Sequence, residues 1–427
     1  MKHIAYLKNT VQEYAWGSCT AIAELMGQTS PAERPQAELW MGTHPKAPSL
    51  VATENGWESL VDLIQAHPMD ILGRRVAEKF DGKLPYLFKV LAAAEPLSIQ
   101  AHPGAADAQA GYAREETRGI PFDAFERNYK DPYHKPECLC ALTPFWGLCG
   151  FRNLSETTAL LHQLCPESLG ELFDLLEKNT QESGIQVFFK TIMNLDPRKQ
   201  VGIVDEAVRH AQAVKHERPE YDWVVRLHHA YPSDIGVIFP ILLNLVHLQP
   251  GQALFLGQGE LHAYLGGVGI ELMANSDNVL RGGLTTKHVD VPELMRILSF
   301  QEKHVDILLP ENQEQHAGVY RTPAREFELS VITLDSGNTY EEQIDRGVEI
   351  LLCTSGEHTI VETGSMNSIA LEKGASVLIP AAVPGYTIHG EGVIYKAAVP
   401  IERSSSDVNK MTRRPKKNKH RRSNAQH

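Results

Sequence analysis

A change of hydrophobic period, from strand to helix and back, constrains this chain more than any other feature of its sequence. Up to about residue 150 the apolar residues come in short runs broken by Pro, Gly and Asn. Examples are Leu84-Pro85-Tyr86-Leu87-Phe88-Lys89-Val90-Leu91 and Pro96-Leu97-Ser98-Ile99-Gln100-Ala101-His102-Pro103, the second alternating as a half-buried strand does. From about 153 to 235, Leu160, Leu161 and Leu164, then Leu172, Phe173, Leu175 and Leu176, then Val187, Phe188, Ile192 and Leu195 recur at the spacing of a helix face. Strand character resumes at Val237-Ile238-Phe239-Pro240-Ile241-Leu242-Leu243 and continues in short pieces to about Pro400. Turn signals fall roughly every 8 to 12 residues there, as in antiparallel sandwiches and barrels.

A repeat sharpens that expectation. Leu248-Gln249-Pro250-Gly251-Gln252-Ala253-Leu254-Phe255-Leu256 matches Leu371-Glu372-Lys373-Gly374-Ala375-Ser376-Val377-Leu378-Ile379, each a turn glycine followed by an apolar strand, so two similar barrels are expected. Eleven residues past its glycine the first copy has His262 and the second has Gly385. Chemistry is therefore assigned to the first copy and a structural role to the second.

The chain has 427 residues, enough for two or three cores. It lacks an uninterrupted apolar run of about 18 residues, so no membrane span is expected, and Met1 to Lys8 does not read as a secretory leader. Cys19, Cys138, Cys140, Cys149, Cys165 and Cys353 show no CxxC spacing and read as reduced thiols of a cytoplasmic protein. Nine of the 41 Lys and Arg fall between Arg403 and Arg422, opposed there by Glu402 and Asp407; residues 1–401 keep 32 basic against 51 acidic side chains, a formal charge of −19. An acidic body does not suit nucleic acid, so cations that face an anionic substrate must act locally. The basic segment 401–427 has no apolar periodicity and is expected to be disordered.

Three segments put metal-competent side chains where an apolar β pattern would otherwise run. In Ser98-Ile99-Gln100-Ala101-His102, period-2 geometry places a hydroxyl, an amide and an imidazole on one face, a poor core surface. In His134-Lys135-Pro136-Glu137, Glu137 opens a strand and shares a face with Lys135; in Gly259-Glu260-Leu261-His262, the histidine follows a glycine-rich turn. Two imidazoles, one carboxylate and one amide oxygen suit Zn²⁺, with Fe²⁺ or Mn²⁺ also compatible. Such a set leaves the ion net positive with an open position, the arrangement of a catalytic rather than a structural site. The segment from Glu271 to Lys287, dense in charged and amide groups, reads either as a solvated loop or as a wall whose Arg281 and Lys287 face anionic oxygens.

These residues resemble those of the type I phosphomannose isomerases, zinc enzymes of the cupin class. The resemblance runs through Tyr14-Ala15-Trp16-Gly17-Ser18, Ala37-Glu38-Leu39-Trp40-Met41-Gly42-Thr43-His44-Pro45-Lys46, the 96–103 segment, Asn128-Tyr129-Lys130-Asp131-Pro132-Tyr133-His134-Lys135-Pro136-Glu137, His262-Ala263-Tyr264-Leu265 and Met273-Ala274-Asn275-Ser276-Asp277-Asn278-Val279-Leu280-Arg281. It implies two cupin-like jelly-roll barrels: a catalytic one from 1–150 and 236–315, interrupted by a helical insert domain at 151–235, and a second at 316–400. It implies one Zn²⁺ per chain on Gln100, His102, Glu137 and His262, and Arg281 as the active-site arginine. Lys89, Ser98 and Lys287 would contact the substrate phosphate, and His134, Lys135, Asp277 and Glu271 match acid, base or substrate-contacting positions. The implied reaction interconverts mannose 6-phosphate and fructose 6-phosphate; the family leans monomeric. Leu261 stands where the family usually has Pro, and Gly282 where it usually has Ala. The rivals are an Fe²⁺ cupin dioxygenase, which needs no phosphate clamp, and a non-enzymatic sugar-binding cupin with vestigial ligands.

Overall fold

The computed structural model describes residues 2–177, 181–312, 316–342 and 346–401; the basic segment from 402 onward, expected to be disordered, lies outside the described residues. The chain is mainly β, and its strands form two antiparallel sheets of ten and eleven strands among the described residues.

The strand His262–Ala274 organises the first sheet. Its second half, Gly267–Ala274, lies between the strands Tyr86–Ala93 and Glu137–Ala141, while His262 at its start faces Gln100 on one side and Cys149 on the other. A bulge between Tyr264 and Gly266 separates the halves. Gly267 follows at φ +124, where a Cβ would meet the Pro144 carbonyl oxygen at 2.7 Å, so only glycine permits the bend. One continuous strand thereby presents residues to two sets of neighbours.

Sheet membership does not follow chain order. Ala5–Lys8 pairs with Ser376–Ile379 and, on its other side, with Leu50–Thr53, so the start of the chain is built into the second sheet. Phe88, Ile270 and Leu272 of the first sheet pack in one cluster with Leu329, Ile350 and Leu352 of the second. Fully burying each such side chain contributes about 1.5–3 kcal/mol, which ties the two sheets together.

Between the strands Phe145–Phe151 and Leu243–Leu248 the described residues are mostly helical, with Leu154–Leu164, Gln181–Met193, Pro197–Val214 and Pro219–Ala230 the longest segments. Asn153 starts the first by accepting from Ser155 N and Glu156 N; Asp196 followed by Pro197 starts the third. Leu161, Phe189, Val204 and Val224 of these helices bury against Ile99, Leu148, Leu261 and Ala263, behind the strands that carry the histidines.

The two copies of the repeat form the same turn. Gly251 and Gly374 have φ +84 and +82. Their amides donate to Ala141 O and Cys353 O, each at 2.8 Å, and Gln252 N and Ala375 N donate to Gln249 O and Glu372 O, each at 2.9 Å.

Two local expectations differ from the structure. The stretch Val237–Leu242 is not a strand: a 3₁₀ turn, Ile235–Ile238, passes into a helical turn, Phe239–Leu242, and the strand begins at Leu243. A short wholly apolar run carries no period, Pro240 has no N–H for a ladder, and Asp234 accepts from Gly236 N to start the turn. The β-rich first 150 residues also contain the helix Ala105–Thr117, whose alanines favour helix without marking an apolar stripe.

Candidate metal centre

His102 follows the short strand Ile99–Ala101, Glu137 opens Glu137–Ala141 and His262 opens His262–Ala274. Antiparallel pairing sets His262 opposite Gln100, and Glu137 opposite Met273 of the same long strand. The side chains converge: one donor atom from each of His102, Glu137 and His262 lies within 4.8 Å of the others, and all three residues are buried. His102 Nε2 is 3.1 Å from Glu137 Oε1 and His262 Nε2 is 3.6 Å from Oε2. Neither Nε2 has a partner in hydrogen-bond geometry.

The far side of each ring explains the orientation. His102 Nδ1 donates to the Asn278 carbonyl at 2.7 Å and His262 Nδ1 to the Glu260 carbonyl at 2.8 Å. A carbonyl only accepts, so each proton sits on Nδ1 and each Nε2 lone pair points at the common centre, as in metal-bound histidines. Burial pushes both imidazoles below their usual range, His262 to about 4, keeping them neutral. Burial works against ionisation of Glu137, but the Lys135 ammonium holds its carboxyl well below the usual range. Two neutral imidazoles and a carboxylate, with orphaned buried nitrogens aimed inward, fit a divalent cation of the Zn²⁺ type.

The centre borders a cavity of about 360 Å³, also lined by Gln100, Lys135, Tyr264, Glu271, Arg281 and Lys287. Its cations differ in availability. Lys89 Nζ sits 2.9 Å from Glu271 and 3.5 Å from Glu38, over the Trp40 ring; burial disfavours its charge, and the two carboxylates overcome that and raise it. Lys135 Nζ is 3.1 Å from Glu137. Arg281 and Lys287 have no acidic partner among the described residues, and burial lowers both, with Arg281 adding to the effect on Lys287. Two unpaired, partly desolvated cations favour an anion in the cavity.

Residues 4–154 match the family model described as phosphomannose isomerase type I, catalytic domain. Mannose-6-phosphate isomerase of Escherichia coli K12 is 40% identical over 391 residues, 90% of this chain and 97% of that protein. The chain belongs to the type I phosphomannose isomerase family. Mannose-6-phosphate isomerase 1 of Arabidopsis thaliana is 34% identical over 401 residues, 89% of this chain and 90% of that one. A crystal structure of zinc-bound mannose 6-phosphate isomerase superposes with a TM-score of 0.84 at 36% identity, covering 93% of this chain and 100% of the other.

In this phosphomannose isomerase family member, Lys89, Ser98, Gln100, Lys135, Glu137, Glu271, Arg281 and Lys287 line one cavity, with His102 and His262 converging on its Glu137. Two sequence candidates stand apart from it. His134 Nε2 is 2.8 Å from Glu326; Asp277 is held by His44 at 3.2 Å and Lys46 at 2.9 Å, and neither residue lines the cavity. Sequence reasoning passed over Tyr264, buried with its hydroxyl donating to Glu137 Oε2 at 3.3 Å. Period 2 from His262 carried the signal, since Tyr264 falls on the same strand face. Glu38 and the carbonyls of Glu260 and Asn278 were also missed, the carbonyls because main-chain acceptors leave no residue-type signature. No helix among the described residues is long and apolar enough to cross a membrane.

Proposed function

We propose that this chain is a zinc-dependent mannose-6-phosphate isomerase, converting D-mannose 6-phosphate and D-fructose 6-phosphate into one another. The observation that carries the reading is the pair of buried Nε2 atoms, turned by carbonyls toward Glu137, beside a cavity lined by Arg281 and Lys287, which have no acidic partner among the described residues. His102, Glu137 and His262 hold the ion, with the Gln100 amide oxygen as the fourth donor. When bound, zinc supplies a Lewis acid that polarises the sugar oxygens at the reacting carbons.

The chain's own side chains supply the rest. Lys287 and Ser98 anchor the phosphate, with Lys89 behind them, fixing C1 and C2 of the substrate against the centre. Arg281 faces the charge that develops as a proton leaves carbon. Of His134, Lys135 and Asp277, Lys135 is the one that lines the cavity, so proton transfer between C1 and C2 falls to it. Glu271 assists, a carboxyl that burial raises above its usual range and so toward that of a general base. A dioxygenase would need no such cation pair.

The finer reading of the fold is two cupin-like jelly-roll barrels, at 1–150 with 236–315 and at 316–400, with a helical insert domain at 151–235; the shared turn of the repeat and the run of helices support it. A cytoplasmic location, supported by six free cysteines, and a monomeric state complete the proposal. The test is to incubate purified protein with fructose 6-phosphate, with and without chelator. Mannose 6-phosphate should form only in the metal-replete sample, and failure to form it there overturns the reading.

A further inference from the structure

The ligands come from distant stretches of chain, and something must fix the stretches to one another. Asn278 is fully buried, with no solvent-exposed surface. Its carbonyl accepts from His102 Nδ1 at 2.7 Å, the bond that turns Nε2 toward the centre. Its side-chain oxygen accepts from Lys130 N at 2.7 Å and Asp131 N at 3.2 Å. Its amide nitrogen donates to Asp131 O at 2.7 Å and Tyr133 O at 2.8 Å, with a longer contact to Asp131 Oδ1 at 3.3 Å. The segment so gripped, 130–133, runs directly into Lys135 and Glu137.

One residue thus joins two ligand segments, through its main chain to His102 and through its amide to the approach to Glu137. Only an amide satisfies the pattern, because the site presents two N–H donors to one end and two carbonyl acceptors to the other. The neighbouring strand is fixed by the same turn, since Leu280 and Arg281 pair with Ala101 and Gln100. The hydroxyl of Ser276, donating to Asp131 Oδ1 at 2.8 Å, braces the turn from inside.

We infer that Asn278 is the positioning residue of the metal centre: it touches neither ion nor substrate, and it sets the distance and orientation of His102 relative to Glu137. The inference rests on the metal reading above, and parental zinc binding separates the two: if the parent binds no zinc, the metal reading fails. Outer partners of metal-bound histidines typically govern affinity by about 10–100-fold, and that is the loss expected for Asn278→Ala.

The experiment measures the zinc dissociation constant of purified, metal-stripped protein by competition with a chromophoric chelator, for the parent, N278A, H102A and the double variant. Circular dichroism checks that each is folded. A positioning role predicts a loss of at least 10-fold for N278A in the parental background and a several-fold smaller loss in the H102A background, because part of the effect passes through that ring. Should N278A not fold, N278D keeps the acceptor oxygen and loses both donors, so the same loss is expected of it. An affinity within two-fold of the parent, or an equal loss with and without His102, overturns the inference.

Discussion

Glu349 occupies in the second sheet the register that Glu137 occupies in the first. Glu137 pairs with Leu256 and Met273, Glu349 with Ile379 and Ala398; in each case one partner ends the repeated turn-strand unit, and the other is the penultimate (Met273) or last (Ala398) residue of a long strand. Two residues before that point the long strands carry Glu271 and Lys396, opposite Leu139 and Leu351. The buried carboxylate faces His102 and His262 in the first copy; in the second it faces Lys396 at 3.4 Å and Arg346 at 3.5 Å, with Tyr386 donating to it at 3.0 Å. Two side-chain cations answer the charge of Glu349.

The two sheets should therefore respond differently to loss of a cation. Lys396 also pairs with Glu342 and is buried, and removing one partner of a buried ion pair costs about 3–5 kcal/mol. Lys396→Met should lower the free energy of urea unfolding by that order in both chelated and zinc-loaded protein. A cost that disappears on chelation would contradict the separate roles.

Stripping the metal should expose the titration of the ligand histidines. Burial holds His262 at about 4, below the ordinary 6.5. Between those values the unfolded chain binds a proton that the folded one refuses, so stability rises with pH across the window and is level above it. In chelated protein, urea unfolding at pH 7 should exceed that at pH 4.5 by up to about 3 kcal/mol from this group, and His262→Asn should flatten that part of the slope. An unchanged slope in the variant would remove His262 as its source.

These features were unevenly legible in the sequence. His102, Glu137 and His262 were visible because a polar side chain on the inward face of an apolar strand breaks a two-residue period, and motif resemblance joined them. What period cannot carry is direction in three dimensions. His134 lies three residues before Glu137, yet its side chain turns to Glu326. Asp277 sits in a motif dense in polar groups and is taken up by His44 and Lys46. The threading of Ala5–Lys8 between Leu50–Thr53 and Ser376–Ile379 has no local signature either, since antiparallel partners far apart in the chain share only generic strand character.

That divergence makes the proton-transfer assignment sharp. Lys135 lines the cavity and His134 does not, so Lys135→Met should lower kcat by roughly 10²–10⁴-fold, whereas His134→Ala should stay within a few-fold of the parent. Zinc content must be measured alongside, because Lys135 helps keep Glu137 ionised. Near-parental turnover of fully loaded K135M would reject it as the proton carrier.

Arg281 and Lys287 should divide between chemistry and binding. Arg281, opposite Gln100 in the strand ladder, lies near the centre, so Arg281→Ala should lower kcat by about 10²–10³-fold, the usual cost of a lost donor to developing charge. Lys287 sits past the end of the strand Leu280–Gly283, exposed at the cavity wall; Lys287→Ala should chiefly raise KM, because an anchor for the phosphate is used alike before and during reaction. Steady-state kinetics over a range of fructose 6-phosphate separates the two, since only the second loss is overcome by more substrate. A K287A variant with parental KM and depressed kcat would move that lysine from the phosphate to the reacting carbons.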